Sequence, residues 1–348
     1  MKRNVNNPLI SPHDVIPSQR DLKVVGVFNA AAIEHHNQTV LILRIAEEPV
    51  IRDAEEVVGV VFDHNDKKVV MVSFDKNDPN INYDDPRVIK TQSGVFLTTL
   101  SHFRRAWSDD GVTFTVDPQP TFLPLTEYET YGVEDPRLTF IDDKFVLNYT
   151  GVSSYGITTL MATSNDLLTF KREGIIFPPD NRDVTIFPEK INGSCVALHR
   201  PCSAEFGPPS IWFATSGNLI QWGNHQCIMR PSSELWEAKK IGGGAVPLKT
   251  REGWLVIYHG VSFEDVYSLG AVLLDYNDPT KVKARLKDPL LIPEMNYEKN
   301  GFFGNVVFTC GAILRNNGMI DVYYGASDEK ICLSSIELEV LLKRLLGS

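Results

Sequence analysis

One turn pattern recurs along this chain at intervals that few folds accommodate. Ser108-Asp109-Asp110-Gly111 leads to Phe114, Ser164-Asn165-Asp166 to Phe170, and Ser216-Gly217-Asn218 to Trp222. In each copy a Ser and an Asn or Asp turn precede an aromatic residue, and the serines lie 56 and 52 residues apart. Asp275–Asp278 reads as a degenerate fourth copy, while Asp85-Pro86-Arg87 and Asp135-Pro136-Arg137 echo each other 50 residues apart. A period of about 50 residues, each unit holding about four strands, is the pattern of a β-propeller. The alternative is that the pattern is only favourable hairpin chemistry. Short β-rich runs bounded by Gly, Asn and Asp fill the intervals: Val57–Phe62, Lys68–Phe74, Lys144–Tyr149, Ile211–Thr215, Trp254–His259 and Ile320–Tyr324.

Across 348 residues that period leaves room for five blades plus terminal extensions. The fold class expected is all-β, a five-bladed β-propeller with a C-terminal helix. No Pro/Gly/Ser linker divides the chain, so residues 1–348 are expected as one domain, with an N-terminal arm at 1–20 and a helix within 334–348. Ile336, Val340, Leu341 and Leu345 would share the apolar face of that helix.

Composition narrows the function classes. Lys plus Arg total 34 against 44 Asp plus Glu, a formal net charge of −10. That balance disfavours nucleic acid, which needs a basic face, and anionic membrane surfaces. A sum can still hide a local cationic pocket. No secretory leader or membrane-spanning apolar run is visible, and the five cysteines lack C-x-x-C spacing. Reduced thiols and a cytoplasmic location are the expectation, with no metal and no membrane partner.

Two constellations stand out. In Gly132-Val133-Glu134-Asp135-Pro136-Arg137, two carboxylates precede a proline and an arginine. Strand alternation would send Glu134 and Asp135 to opposite faces. One of them could be a general acid in an environment held by Arg137, or the segment could be a surface turn with a local ion pair. The second set comprises Arg182, Arg200 (beside His199), Lys240 and His259, each in an apolar or glycine-rich setting. Burying a lone cation costs several kcal/mol, so each needs an anion. Partners on neighbouring strands would suffice, yet four such positions favour a shared anion site, for which Arg and Lys are the usual phosphate holders.

The run Gly242-Gly243-Gly244 is not a P-loop, because no G-K-[ST] follows; glycine there would let backbone approach a neighbour or ligand closely. Tyr128, Tyr131, Tyr155, Trp236, Tyr267, Phe302, Phe303 and Tyr324 could stack on sugar faces or be interblade core. Asp328, at a strand end, could bind sugar hydroxyls or cap a turn.

Together these segments resemble glycoside hydrolase family 130, the mannoside phosphorylases and their hydrolytic relatives. The resemblance runs from Phe28-Asn29 and Leu43-Arg44 through Glu134-Asp135-Pro136-Arg137, Phe187-Pro188, His199-Arg200-Pro201 and Lys240-Ile241-Gly242. It continues through Trp254 to Gly260, Leu269 to Asp275, Asn305 to Phe308 and Tyr324 to Asp328. It implies a five-bladed propeller in which Asp135 is the catalytic acid, its proton passing through the mannosyl 3-hydroxyl. Phosphate would attack the anomeric carbon from the other face, inverting it to α-mannose 1-phosphate. Arg182, Arg200, Lys240, His259 and Tyr267 would hold that phosphate. Asn29, Arg44 and Asp328, with Arg137 on the same side, would hold the mannose.

Inorganic phosphate is thus the co-substrate and no cofactor is implied. Hydrolytic members lack much of the basic set, so phosphorolysis is the expectation. Asn29 is followed by Ala30-Ala31-Ala32, and extra chain lies between Arg44 and Asp135, including Asp84 to Arg87 and Ser101 to Arg105. These features resemble the subgroup acting on β-1,2-linked mannosides. A water-using β-mannosidase, a β-1,4-mannoside phosphorylase and a noncatalytic glycan-binding propeller are the competing readings. A homo-oligomer is open.

Overall fold

The recurring turn closes the outer hairpin of successive blades. In a computed structural model describing residues 1–50, 53, 55–85, 87–202 and 205–347, Ser108 and Ser164 accept the backbone N–H three residues on, from Gly111 and Leu167. Asp110, Asp166 and Asn218 each accept two further N–H groups of the turn, and Asp275 does the same in the degenerate copy. All four turns join the third strand of a blade's main path to the fourth. The repeat is therefore blade-forming as well as good hairpin chemistry.

Five sheets result. Blade I comprises Leu22–His35, Gln38–Pro49, Leu100–Ser108 and Thr115–Val116; blade II comprises Val133–Ile141, Lys144–Ser153, Gly156–Ser164 and Lys171–Phe177. Blade III runs through Asn181–Ile186, Cys195–Pro201, Ile211–Ser216 and Trp222–Met229. Blade IV runs through Lys240–Gly243, Gly253–Val261, Tyr267–Leu274 and Val282–Arg285, with Leu248–Thr250 also pairing its second strand. Blade V takes Val307–Leu314, Met319–Ala326 and Lys330–Glu337, and its outermost strand is Lys2–Arg3 from the other end of the chain.

The apolar cores lie between blades, not within them. Leu43 and Ile45 meet Tyr323 and Leu333 between I and V, and Phe103 meets Leu147 and Leu160 between I and II. Met161 packs on Ile186 between II and III, Leu198 with Val256 between III and IV, and Leu255 with Val322 between IV and V. Each blade thus needs two neighbours, and the ring must close.

Closure corrects the expectation of an N-terminal arm. Lys2 and Arg3 pair with Ser335 and Ser334, and Ile10 bridges Ile331. The C-terminal helix is also shorter than expected, Leu338–Leu346, because Ser334–Ile336 continue the strand opposite Ile320–Val322. Leu341, Leu342 and Leu345 are its buried face, whereas Val340 is exposed. Two further expectations shift. Ser101 to Arg105 belong to the third strand of blade I, so the added chain is confined to the segment between Pro49 and Leu100. That segment forms two hairpins, Glu56–Asp63 with Lys68–Asp75 and Val88–Thr91 with Gly94–Leu97. Asp85 and Arg87 sit in it, outside any blade, so their echo of Asp135 and Arg137 is not a blade repeat; Pro86 lies outside the described residues. Among the described residues no helix is long and apolar enough to cross a membrane.

The ring lock has an electrostatic pin. Arg3 donates from Nε and Nη2 to the fully buried Glu298, at 2.7 and 2.9 Å, and Tyr324 donates to the same carboxylate at 2.7 Å. Removing one member of a buried pair leaves the other charge uncompensated, at about 3–5 kcal/mol. Arg3→Ala is therefore expected to lower the thermal unfolding midpoint by several degrees without altering the cavity described below, which calorimetry checks.

Candidate active site

The inner strands of blades I, II and III each carry a bulge at the same place. Register shifts between Phe28 and Ala31, Glu134 and Arg137, and Arg182 and Thr185. At each, an Asn or Asp adopts a left-handed backbone: Asn29 at φ 49°, Asp135 at 49° and Asp183 at 55°. Asn and Asp are the non-glycine residues most at ease there. A bulge re-aims side chains, so consecutive residues can both face the propeller axis. The expectation that Glu134 and Asp135 diverge is thereby corrected. Arg44 donates to both, from Nη2 to Glu134 Oε1 at 2.7 Å and from Nη1 to Asp135 Oδ1 at 3.0 Å. Asn29 Nδ2 adds a second donor to Asp135 Oδ1 at 2.8 Å.

These residues line one half of an axial cavity of about 290 Å³. Asp328, in the turn after the second strand of blade V, completes it. Burial pushes the Asp328 carboxyl up to about 7; Asp135 and Glu134 add to the rise, and Arg44 and Arg87 oppose it. Arg87 enters from the inserted segment, its guanidinium 4.5 Å over the Phe303 ring and paired with Asp85.

The opposite half is basic. Arg182, Arg200, Lys240, His259 and Tyr267 line it, brought from blades III and IV. Lys240 Nζ donates to the Tyr267 hydroxyl at 2.8 Å. Burial lowers the Lys240 ammonium to about 8, helped by Arg200 and Arg182, and raises the Tyr267 phenol to about 12. His259 is lowered to about 3, first by burial and then by Arg200, Lys240 and Arg137, against the pull of Asp183.

Asp183 is the residue that sequence reasoning missed. It is 3% exposed, and its carboxylate faces Arg200 Nε at 2.8 Å, Arg137 Nη2 at 3.4 Å and His259 Nε2 at 3.7 Å. Burial alone would raise its pKa, but the Arg200 and Arg137 guanidiniums hold it well below the usual carboxylate range. Blade IV can come this close only because it carries glycine. A Cβ on Gly242 would stand 2.5 Å from His259 and 2.6 Å from Asp183 Oδ2, and one on Gly243 would stand 2.5 Å from the Asp183 carbonyl oxygen.

Asn29, Arg44, Asp135, Arg182, Arg200, Lys240, His259, Tyr267 and Asp328 thus share one cavity. Arg137 does not line it. That side chain is 1% exposed beneath the floor, donating to the carbonyls of Gly244, Gly243 and Asp135 as well as pairing with Asp183. It holds the environment of the acid segment but does not reach toward a sugar. Of the aromatic candidates, Tyr267, Phe302 and Phe303 reach the cavity. Tyr128 packs on Tyr155, Trp236 on Tyr258, Tyr131 on Phe96, and Tyr324 is buried against Glu298. Among the described residues no group of three His, Cys, Asp or Glu side chains is arranged to hold a metal ion.

A cavity on a propeller axis, acidic and hydrogen-bonding on one side and cationic on the other, defines a class: a β-propeller with a charge-divided site at its centre. The family model described as β-1,4-mannooligosaccharide phosphorylase, glycoside hydrolase family 130, matches residues 102–346. The chain is 42% identical over 347 residues to a β-1,2-mannobiose phosphorylase of Listeria innocua serovar 6a, covering 99% of this chain and 98% of that one. It is 36% identical to a β-1,2-mannobiose phosphorylase of Thermoanaerobacter sp., covering 97% and 98%. The structure of the Listeria innocua β-1,2-mannobiose phosphorylase in complex with β-1,2-mannobiose superposes with a TM-score of 0.95 at 41% identity, covering 100% of this chain and 99% of that one. The chain belongs to glycoside hydrolase family 130.

A lowered Lys240 would make the hold on any anion placed beside it sensitive to pH. Only the ammonium form attracts an anion, so affinity counted per monohydrogen phosphate dianion should be flat below about pH 8 and fall by up to about tenfold per unit above it. Titration calorimetry across that range checks this. Lys240→Arg, which keeps its charge, should remove the alkaline fall.

Proposed function

We propose that this enzyme catalyses inverting phosphorolysis of β-1,2-linked mannobiose or short manno-oligosaccharides, yielding α-mannose 1-phosphate and the shortened sugar. The observation that carries this reading is the opposition of an acid-bearing half to a cationic half across one cavity. The mannosyl unit lies between them, held by Asn29, Arg44 and Asp328. Phosphate, in the cradle of Arg182, Arg200, Lys240, His259 and Tyr267, attacks the anomeric carbon as the bond to the leaving oxygen breaks. Asp135 supplies the proton that the leaving oxygen takes up, relayed through the mannosyl 3-hydroxyl. The cradle contributes charge neutralisation and in-line orientation, both realised before the bond is made.

Hydrolysis by inversion needs a second carboxylate able to activate water. The carboxylate on the cationic side, Asp183, is locked among Arg200, Arg137 and His259 and held far down in pKa, which makes it a weak base. That supports phosphate over water as nucleophile. The β-1,2 preference rests on the activities of the two relatives aligned over nearly their full lengths. Five free cysteines support a reducing, cytoplasmic setting.

Incubation with β-1,2-mannobiose should yield mannose 1-phosphate only when phosphate is present. Mannose release without phosphate would overturn the reading, as would no turnover of any mannoside. Asp135→Asn should cut kcat by about 10²–10⁴-fold with an unchanged unfolding midpoint.

A further inference from the structure

The cationic half contains two hydrogen-bond acceptors that its role as a cradle for a bare anion does not explain. His259 Nδ1 lies 3.3 Å from the Gly243 carbonyl oxygen. A carbonyl only accepts, so Nδ1 carries the proton and the neutral ring turns the Nε2 lone pair toward Asp183 Oδ2, 3.7 Å away. Burial keeps the ring neutral. The second acceptor is Asp183 Oδ2 itself. Although it is ion-paired with Arg200 at 2.8 Å, no donor hydrogen among the described residues is aligned on it, and its residue lines the cavity while remaining buried. Two acceptors side by side in a buried site leave room for a donor, since an unsatisfied buried acceptor costs free energy.

We infer that this site is built for a protonated oxyanion: the P–OH of monohydrogen phosphate donates to the acceptor pair of Asp183 Oδ2 and the His259 Nε2 lone pair, while the remaining oxygens face Arg182, Arg200 and Lys240. Asp183 and His259 thereby become specificity-determining residues for the co-substrate, which rests on the phosphorolysis reading. The arrangement assigns the four oxygens unequal tasks. The protonated one is held at the acceptors, away from the anomeric carbon, and an unprotonated one is left to attack. An anion of the same size and charge but without hydrogen, sulfate, would set an oxygen lone pair against two acceptors. Specificity of this kind arises from a mismatch imposed on the wrong ligand.

The test is a binding comparison on the intact enzyme by titration calorimetry at mildly alkaline pH, where phosphate is mostly a dianion. Phosphate and hydrogen arsenate, which both carry a proton, should bind alike, and sulfate about tenfold or more weakly. In Asp183→Asn, whose amide can turn a donor to the site, the preference for phosphate over sulfate should shrink toward unity. His259→Gln, which also offers an amide donor, gives a second route to the same loss should the first variant fold poorly. Equal affinity of the wild-type enzyme for phosphate and sulfate would overturn the inference while leaving phosphorolysis intact. Absence of phosphate binding would instead overturn the cradle itself.

Discussion

The buried ion pair between Arg137 and Asp183 is the interaction on which the rest of the site depends. Arg137 comes from blade II and Asp183 from blade III, and the same guanidinium holds the carbonyls of Gly243 and Gly244 in blade IV. Neither group reaches solvent to any extent. Ions so buried are costly unless they are paired, so the contact ties three inner strands together. Through Asp183 it then orients Arg200 and His259, and through the Asp135 carbonyl it anchors the acid segment. The acidic and basic halves are therefore not independent sites that happen to share a cavity.

The second constraint is the bulge repeated in blades I to III. One left-handed position per inner strand yields an amide in Asn29, a carboxylate held by donors in Asp135 and a carboxylate held by cations in Asp183. The residues just before them, Phe28, Glu134 and Arg182, also reach the cavity. A propeller thus offers the same geometric opening several times over, and each blade fills it with different chemistry.

Legibility in the sequence follows the range of the interaction. The Ser–Asx turns are readable because every backbone partner of the Asp110 or Asp166 side chain lies within three residues. Arg182, Arg200, Lys240 and His259 stand out because cations in apolar surroundings are anomalous wherever their partners are. Asp183 does not. An acid beside an arginine looks like a local pair, whereas its partners are Arg200 on the neighbouring strand and Arg137 and His259 in other blades. Alternation sends Glu134 and Asp135 to opposite faces, but period two fails at a bulge, and no local residue pattern separates that bulge from a regular strand. Arg137 is a conspicuous motif residue whose burial only the assembled ring reveals. Ring closure by Lys2 and Arg3 is invisible for the same reason, since a two-residue strand has no periodicity.

The distribution of charge within the cavity also constrains the acid half. In the reaction proposed above, phosphate attack carries negative charge from the cationic half toward the leaving oxygen, and proton donation moves it on to Asp135. Arg44 and Asn29 both donate to Asp135 Oδ1, which stabilises the carboxylate that remains. Glu134 and Asp328 bring two further carboxyls to the same half of the cavity, and like charges gathered in a buried site disfavour one another. That crowding is felt at Asp328, whose carboxyl is pushed up to about 7 by burial first and then by Asp135 and Glu134, against the pull of Arg44 and Arg87. Arg44, paired with both Glu134 and Asp135, thus sets how much negative charge the acid half tolerates, and the remainder of the strain falls on Asp328.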